Sequence, residues 1–99
     1  MAYKIVLAET VTTHLQWLSA AERKRVLDGI QRQLTGEPLL ETRNRKPLRP
    51  NPIAPWELRL GTLRVFYEVV SQEPGTVHVL AVGKKLRNAL RIGGQEIKL

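Results

Sequence analysis

The sequence is marked first by what it lacks. It has no cysteine, one methionine, and only two tryptophans, two tyrosines and one phenylalanine. The absence of cysteine excludes disulfides and thiolate chemistry and fits a reducing compartment. No apolar run approaches the roughly 20 residues that a membrane helix needs, and the N-terminus has no basic segment followed by a long apolar one. We therefore expect a cytoplasmic protein without a signal peptide.

Length and charge limit the architecture and the kind of partner. A chain of 99 residues with 42% hydrophobic content supports one domain over residues 1–99 with one modest core. Sixteen basic residues against nine acidic ones give a net charge of +7. Such an excess favours a polyanionic partner, either nucleic acid or an acidic protein. A basic surface that serves only solubility is the alternative.

The first third of the chain reads as a strand followed by two helices. The apolar run Tyr3–Leu7 predicts a strand, and Glu9–Leu18 predicts a first helix. Ser19 and Glu22 have the spacing of a capping box, in which each side chain bonds the backbone N–H of the other residue. The second helix starts there and is expected to end at Gly36. Two helices joined in this way should pack as a pair on one face of a sheet.

A hairpin is predicted around Gly61 and Thr62, because apolar residues alternate on both sides of this pair. A two-residue loop with glycine first suits a type II′ turn. That register places Arg59 directly opposite Arg64. Like charges that face each other weaken a hairpin, so the two arginines need either a nearby carboxylate or an anionic ligand.

The rest of the chain alternates between irregular segments and strands. Five prolines make residues 37–55 an irregular basic loop, and a turn at Gln72–Gly75 leads to a strand at Val77–Val82. Gly93 and Gly94 turn a small terminal hairpin or end a short helix that begins near Lys85, and we favour the hairpin. The predicted fold is α+β: a small antiparallel sheet in the order β-α-α-β-β-β, with a two-helix hairpin on one face.

This order of elements resembles the RelE/ParE superfamily of bacterial toxins. The resemblance covers nearly the whole chain. Its most specific pieces are the strings WELRLGTLRVFYEV, where a charged strand turns into an Arg-Val strand, and VHVLAVGKKLRN, where the last long strand runs into a basic turn.

The resemblance implies the toxin half of a type II toxin–antitoxin pair, partnered by a small acidic antitoxin and needing no cofactor. Many members cut mRNA on the ribosome without a metal. We therefore expect a ribosome-dependent mRNA endoribonuclease. The alternatives are a ParE-like protein that inhibits gyrase without chemistry of its own, and a catalytically inactive partner protein.

The resemblance also points to site residues. The family's cationic positions on the second strand fall at Glu57 and Arg59, and the arginine that opens the third strand matches Arg64. The basic residue after the last long strand matches Lys85. The C-terminal tyrosine that some members use as an acid or base falls near Arg91, so that role is not preserved.

Two interpretations of the central residues stay open. Arg59 and Arg64 form a phosphate clamp, because the planar guanidinium grips phosphate with two donors. Alternatively, Glu57 and Glu68 neutralise them in an ordinary cross-strand charge ladder. Glu57 is the candidate general base for the 2′-hydroxyl, or it only orients Arg59.

Further candidates surround this centre. His78 is a possible acid or base, on a strand where alternation sets it apart from Val77, Val79 and Ala81. Phe66 is expected on the functional face, where its ring would stack a base, and His14 on the protein surface. The remaining basic residues are expected to contact the RNA backbone or an acidic antitoxin: Arg43, Arg45, Lys46, Arg49, Lys84, Arg87 and Arg91. Two separated histidines predict no metal site.

Overall fold

The computed structural model describes residues 2–70 and 75–98. These residues form two helices, α1 (Glu9–Gln16) and α2 (Ala20–Leu34), and seven strands: β1 (Lys4–Leu7), β2 (Arg45–Pro47), β3 (Trp56–Leu60), β4 (Leu63–Val70), β5 (Thr76–Leu86), β6 (Ala89–Ile92) and β7 (Gln95–Ile97). Within these residues, neither helix is long and apolar enough to cross a membrane.

The strands form one sheet in the order β2-β3-β4-β5-β6-β7, with antiparallel neighbours throughout. β1 instead runs parallel to the first half of β5, from Lys4 opposite Thr76 to Leu7 opposite Val79. The second half of the same edge of β5 pairs with β6. The predicted α+β fold with two helices and a terminal hairpin is confirmed. The turn expected at Gln72–Gly75 lies, except for Gly75, outside the described residues.

Helix α2 begins with the predicted capping box. The Glu22 N–H donates to Ser19 Oγ at 3.1 Å, and the Ser19 N–H donates to Glu22 Oε1 at 2.9 Å. Helix α1 ends two residues earlier than expected. Its last turn tightens into bonds between residues three apart, from Trp17 N to His14 O and from Leu18 N to Leu15 O.

The main core lies between the helices and one face of the sheet. Alternation along β3 and β4 sends Leu58, Leu63 and Val65 to this face, where all three are fully buried. Tyr67 joins them, and its hydroxyl donates to the carbonyl of Pro38 at 2.6 Å. The ring of Trp56 stacks on that of Tyr67 with centroids 6.1 Å apart, so both aromatics belong to the core as expected.

A second apolar cluster occupies the opposite face. It contains Phe66, Ala81, Leu90 and Ile92, and the proline-rich segment contributes Ala54. Phe66 is completely buried in this cluster. The prediction that its ring stacks a base is therefore wrong, because the loop and the terminal hairpin cover that part of the sheet.

A β-bulge at Leu80 changes which residues of β5 face the helices. Phe66 pairs with Ala81 and Tyr67 pairs with Val79, so Leu80 has no partner on β4. Before the bulge Val79 faces the helices, whereas after it Ala81 belongs to the opposite face. The expected grouping of Ala81 with Val77 and Val79 is therefore wrong. An extra residue in one strand reverses the alternation beyond it.

Candidate functional site

The central hairpin has the predicted register. Leu60 pairs with Leu63, and Arg59 pairs with Arg64. Gly61 has a φ of 62°, the left-handed value that a type II′ turn needs at its first central residue. Since Leu58 and Val65 face the helices, the two arginines lie on the other side of the sheet.

Glu57 lies between the two guanidinium groups. Arg59 Nε is 2.6 Å from Glu57 Oε1, and Arg64 Nε is 3.6 Å from the same oxygen. Only 9% of the Glu57 side chain is exposed. A buried carboxylate needs such cationic partners, and the opposed arginines need a carboxylate. Glu68, the other acidic residue predicted to balance them, instead lies 3.4 Å from Nδ1 of His78.

The two arginines differ in how firmly they are held. Arg64 is 14% exposed, and its Nη1 donates to the carbonyls of Gly61 and Leu63 at 2.5 and 2.9 Å. Arg59 is 47% exposed, and within the described residues its side chain forms hydrogen bonds and ion pairs with Glu57 alone. Burial lowers the pKa of Arg64, with Glu57 acting against this shift and Arg59 adding to it. Arg64 is thus a fixed cation, and Arg59 is a more accessible one.

A cleft of about 450 Å³ opens beside this group. Its walls include Glu57, Arg64 and Lys85, three of the four residues predicted to be catalytic. Lys85 reaches this face because of the bulge at Leu80, which exchanges the directions of Lys84 and Lys85. The structure therefore brings residues from β3, β4 and β5 to one cavity.

Two residues of the terminal strand region, Glu96 and Lys98, also line the cleft and were not among the predicted site residues. Their position depends on the hairpin of β6 and β7, in which Ile92 pairs with Gln95. The Gly93-Gly94 pair was the available signal, because a hairpin there folds residues 95–98 back beside the last long strand.

Two predicted RNA contacts lie on the wrong side of the sheet. Lys84 Nζ is 2.5 Å from Glu22 Oε2 at the start of α2. This bond and the one from Ser19 lower the pKa of Glu22. Arg91 pairs with Lys84 across β5 and β6 and shares its side of the sheet. Neither residue reaches the cleft, so their assignment to the cleft's RNA surface is corrected.

The basic loop contains one structural arginine. Arg45 donates from Nε to the Leu40 carbonyl at 3.0 Å, and from Nη1 to the carbonyl and side-chain oxygens of Gln33 at 2.8 and 2.9 Å. Its guanidinium ties the loop to the end of α2, which corrects its assignment as an RNA contact. Lys46 lies 3.7 Å from Glu41. The side chains of Arg43 and Arg49 are exposed and make no hydrogen bond or ion pair within residues 2–70 and 75–98.

The two histidines occupy different environments. His78 pairs with Glu68 on the cleft's side of the sheet. Glu68 is four positions along β4 from Arg64, which is roughly 13 Å at the usual rise of a strand. His14, expected on the surface, is half-buried, and its Nδ1 accepts from the Val82 N–H at 3.3 Å. Burial lowers the pKa of His14. In the described part of the chain, no group of three or more His, Asp or Glu side chains could hold a metal ion.

Comparison with known proteins finds a likeness to a solved structure. No protein-family model matches the chain, and no curated protein sequence matches it. Among solved structures, a chain of the crystal structure of the toxin–antitoxin complex RelBE2 from Mycobacterium tuberculosis superposes with a TM-score of 0.72. The two are 28% identical, and the match covers 86% of this chain and 100% of the other.

The helix pair, the meander with its opposed arginines and this likeness confirm the predicted resemblance to the RelE/ParE superfamily of toxins. The likeness to a chain of a toxin–antitoxin complex supports a RelE-like toxin of the type II class.

Proposed function

We propose that the protein is an endoribonuclease that cuts mRNA on the ribosome by attack of a 2′-hydroxyl on the adjacent phosphorus. The observation that carries this proposal is the meeting of Glu57, Arg64 and Lys85 in one cleft, with Arg59 bonded to the same carboxylate. A base, a fixed cation and a proton donor are the groups that this reaction needs.

In the proposed reaction a base removes the 2′-hydroxyl proton as the 2′-oxygen forms a bond to phosphorus. The bond from phosphorus to the 5′-oxygen then breaks, and that oxygen takes a proton from an acid. The products are a 2′,3′-cyclic phosphate and a 5′-hydroxyl. Negative charge on the phosphorane oxygens is greatest midway, where fixed cations stabilise it most.

Arg64 is suited to stabilise the phosphorane, because two carbonyl bonds fix its guanidinium before substrate arrives. Preorganised donors of this kind are worth about 2.7–4 kcal/mol of barrier each. Arg59 is half exposed and has Glu57 as its ion-pair partner among the described residues, so an incoming phosphate can draw it away from that carboxylate. That exchange would leave the Glu57 carboxylate free to accept the 2′-hydroxyl proton.

Lys85 is the proposed donor to the leaving 5′-oxygen. It is exposed and lines the cleft together with Glu57 and Arg64. Arg91, which stands near the position of the family's C-terminal tyrosine, belongs to the opposite side of the sheet and is not available for this role.

The proposed protein partner is an acidic antitoxin. The structural neighbour was solved as a toxin–antitoxin complex, and the net charge of +7 favours an acidic chain. An acidic segment bound in the cleft would exclude RNA from it, and the exposed Arg43 and Arg49 are further candidates for contacts with that segment.

The test uses purified protein, ribosomes loaded with a defined mRNA, and mapping of new 5′-ends. We expect cuts within codons that depend on ribosomes and leave a 5′-hydroxyl. Arg64→Ala should lower the single-turnover rate by about 10²–10³. Arg32→Gln removes an exposed charge from α2 and should leave the rate unchanged.

Two results would replace this proposal by its alternatives. Intact mRNA together with inhibited DNA supercoiling would favour a gyrase inhibitor. Intact mRNA and no effect on gyrase would favour a catalytically inactive partner protein.

A further inference from the structure

The turn between β5 and β6 has an unusual backbone residue. Three pairs of strands in the described sheet are joined by two-residue turns, whose first central residues are Gly61, Arg87 and Gly93. All three have positive φ, at 62°, 50° and 60°. The left-handed conformation disfavours any residue with a Cβ except asparagine and aspartate, so glycine is the ordinary choice in such turns.

Arg87 therefore stands at a turn position that glycine occupies in the other two hairpins. Among the described residues, Arg87 and Asn88 are the two non-glycine residues with positive φ. Asparagine tolerates that conformation, whereas arginine has no local side-chain bond to offset it. Residues held in disfavoured backbone conformations concentrate at functional sites.

The surroundings of Arg87 indicate what the side chain does. It lines the cleft that contains Glu57 and Arg64, and it is exposed. Within residues 2–70 and 75–98 its guanidinium makes no hydrogen bond or ion pair, so its donors are available to a ligand. By contrast, Arg64 and Arg59 are both already bonded to protein oxygens.

Arg87 lies too far from Arg64 to share the scissile phosphate with it. Arg64 pairs with Gly83, and Arg87 lies four positions further along the chain, which is roughly 13 Å at the rise of a strand. Lys98 also lines the cleft and adds a second cation to it. A phosphate there would be a neighbour of the scissile one along the same RNA strand.

From these observations we infer that Arg87 binds a phosphate that flanks the scissile one, and that an arginine is kept in a glycine-type position for this contact. The inference rests on the proposed function and adds a substrate-binding residue to it. Arg87 positions RNA in the cleft and takes no part in proton transfer. Its planar guanidinium can hold a phosphate through two parallel hydrogen bonds, which a lysine in that position cannot do.

The test compares Arg87→Asn, Arg87→Lys and Arg32→Gln on ribosomes loaded with mRNA. Asparagine suits the turn, so Arg87→Asn should denature at an equal or higher urea concentration than the wild type while cleaving at least tenfold more slowly. Arg87→Lys keeps the charge, and its cleavage rate should lie between those of the wild type and Arg87→Asn. Arg32→Gln, which removes the same charge from α2, should cleave like the wild type.

A modified substrate identifies the contact. Single methylphosphonate linkages, which are uncharged, are placed in turn at the phosphates on either side of the cleavage point. At one of them the wild type should slow at least tenfold, and Arg87→Asn should show no further loss at that linkage.

The outcomes separate the inference from the proposed function. If the wild type does not cleave, the proposed function and the inference both fail. If the wild type cleaves and Arg87→Asn cleaves equally fast, the enzyme stands and the role of Arg87 is overturned. Equal sensitivity of wild type and Arg87→Asn to every neutral linkage would also overturn it, because the lost contact would then not be to a phosphate.

Discussion

Arg59 Nε lies 2.6 Å from Glu57 Oε1, and the two residues are two positions apart on the same strand. The bond joins a half-exposed cation to a carboxylate that is 9% exposed. The accessible Arg59 is therefore bonded to a carboxylate that lines the cleft.

The first prediction separates a Glu57 that acts as a base from one that only orients Arg59. Glu57→Gln keeps the shape and removes the charge, and it should slow cleavage by about 10²–10⁴. If Glu57 accepts the proton, Glu57→Gln should slow cleavage by the same factor in an Arg59→Ala background. If Glu57 only orients Arg59, adding Glu57→Gln to Arg59→Ala should slow cleavage little further. Single-turnover rates of the four proteins in this cycle decide between the two roles.

The second prediction concerns the close approach of β6 to Gly83. A Cβ built on Gly83 would lie 2.5 Å from the Arg91 carbonyl oxygen and 2.8 Å from Ile92 Cγ1. Since one of these atoms is backbone, Gly83→Ala must displace the terminal hairpin, and we expect it to lower the free energy of unfolding by about 1–3 kcal/mol. Gly36→Ala is the control, because nothing lies within 4 Å of its built Cβ. Urea denaturation measures both, and similar midpoints would contradict the expectation.

The third prediction is a pH dependence that comes from His14. Its folded pKa is lowered by burial, and its Nδ1 must be unprotonated to accept from Val82 N–H. The folded state thus binds the proton more weakly than the unfolded state. The stabilisation is complete above the unfolded pKa, near 6.5, and is lost as the pH falls below it.

Urea midpoints measured from pH 8 to pH 5.5 test this effect. The wild type should lose stability over that range, and His14→Gln should lose less, since a glutamine oxygen can accept the same bond at any of these pH values. A slope that persists in His14→Gln would assign the effect to another group.

The fourth prediction concerns the buried hydroxyl of Tyr67. Burial raises its pKa, so the phenol stays protonated and donates to the Pro38 carbonyl at 2.6 Å. Tyr67→Phe keeps the stacking with Trp56 but leaves that carbonyl without its donor, at a cost of about 1–3 kcal/mol. Tyr3→Phe is the matched control, because the Tyr3 hydroxyl makes no hydrogen bond in the described residues. Thermal unfolding measures both variants. Equal unfolding temperatures for Tyr67→Phe and Tyr3→Phe would contradict the prediction.

Local patterns predicted the local parts of the fold. The capping box at Ser19 and Glu22 and the Arg59–Arg64 register each depend on a few adjacent residues, and both are confirmed. The helix pair and the terminal hairpin follow from glycine positions and apolar spacing. These features need no knowledge of distant contacts.

The errors arose where distant segments decide the outcome. Alternation placed Phe66 on the correct face but gave no sign that residues from the loop and the terminal hairpin would cover it. The bulge at Leu80 is a single unpaired residue, and it reversed the sides of Lys84 and Lys85. Arg45 was read as a free cation because its acceptors, on Gln33 and Leu40, are brought near it only by the folded loop.

The parallel pairing of β1 with β5 has a consequence for biosynthesis. Lys4 is opposite Thr76, so the first strand made must stay unpaired until the fifth strand has been translated. At 5–20 residues per second this takes roughly 4 to 15 s. Joining segments so far apart is also entropically slow, which should make docking of the N-terminal strand the last event in maturation. Both helices and strands β2 to β4 are therefore made before the N-terminal strand has its partner.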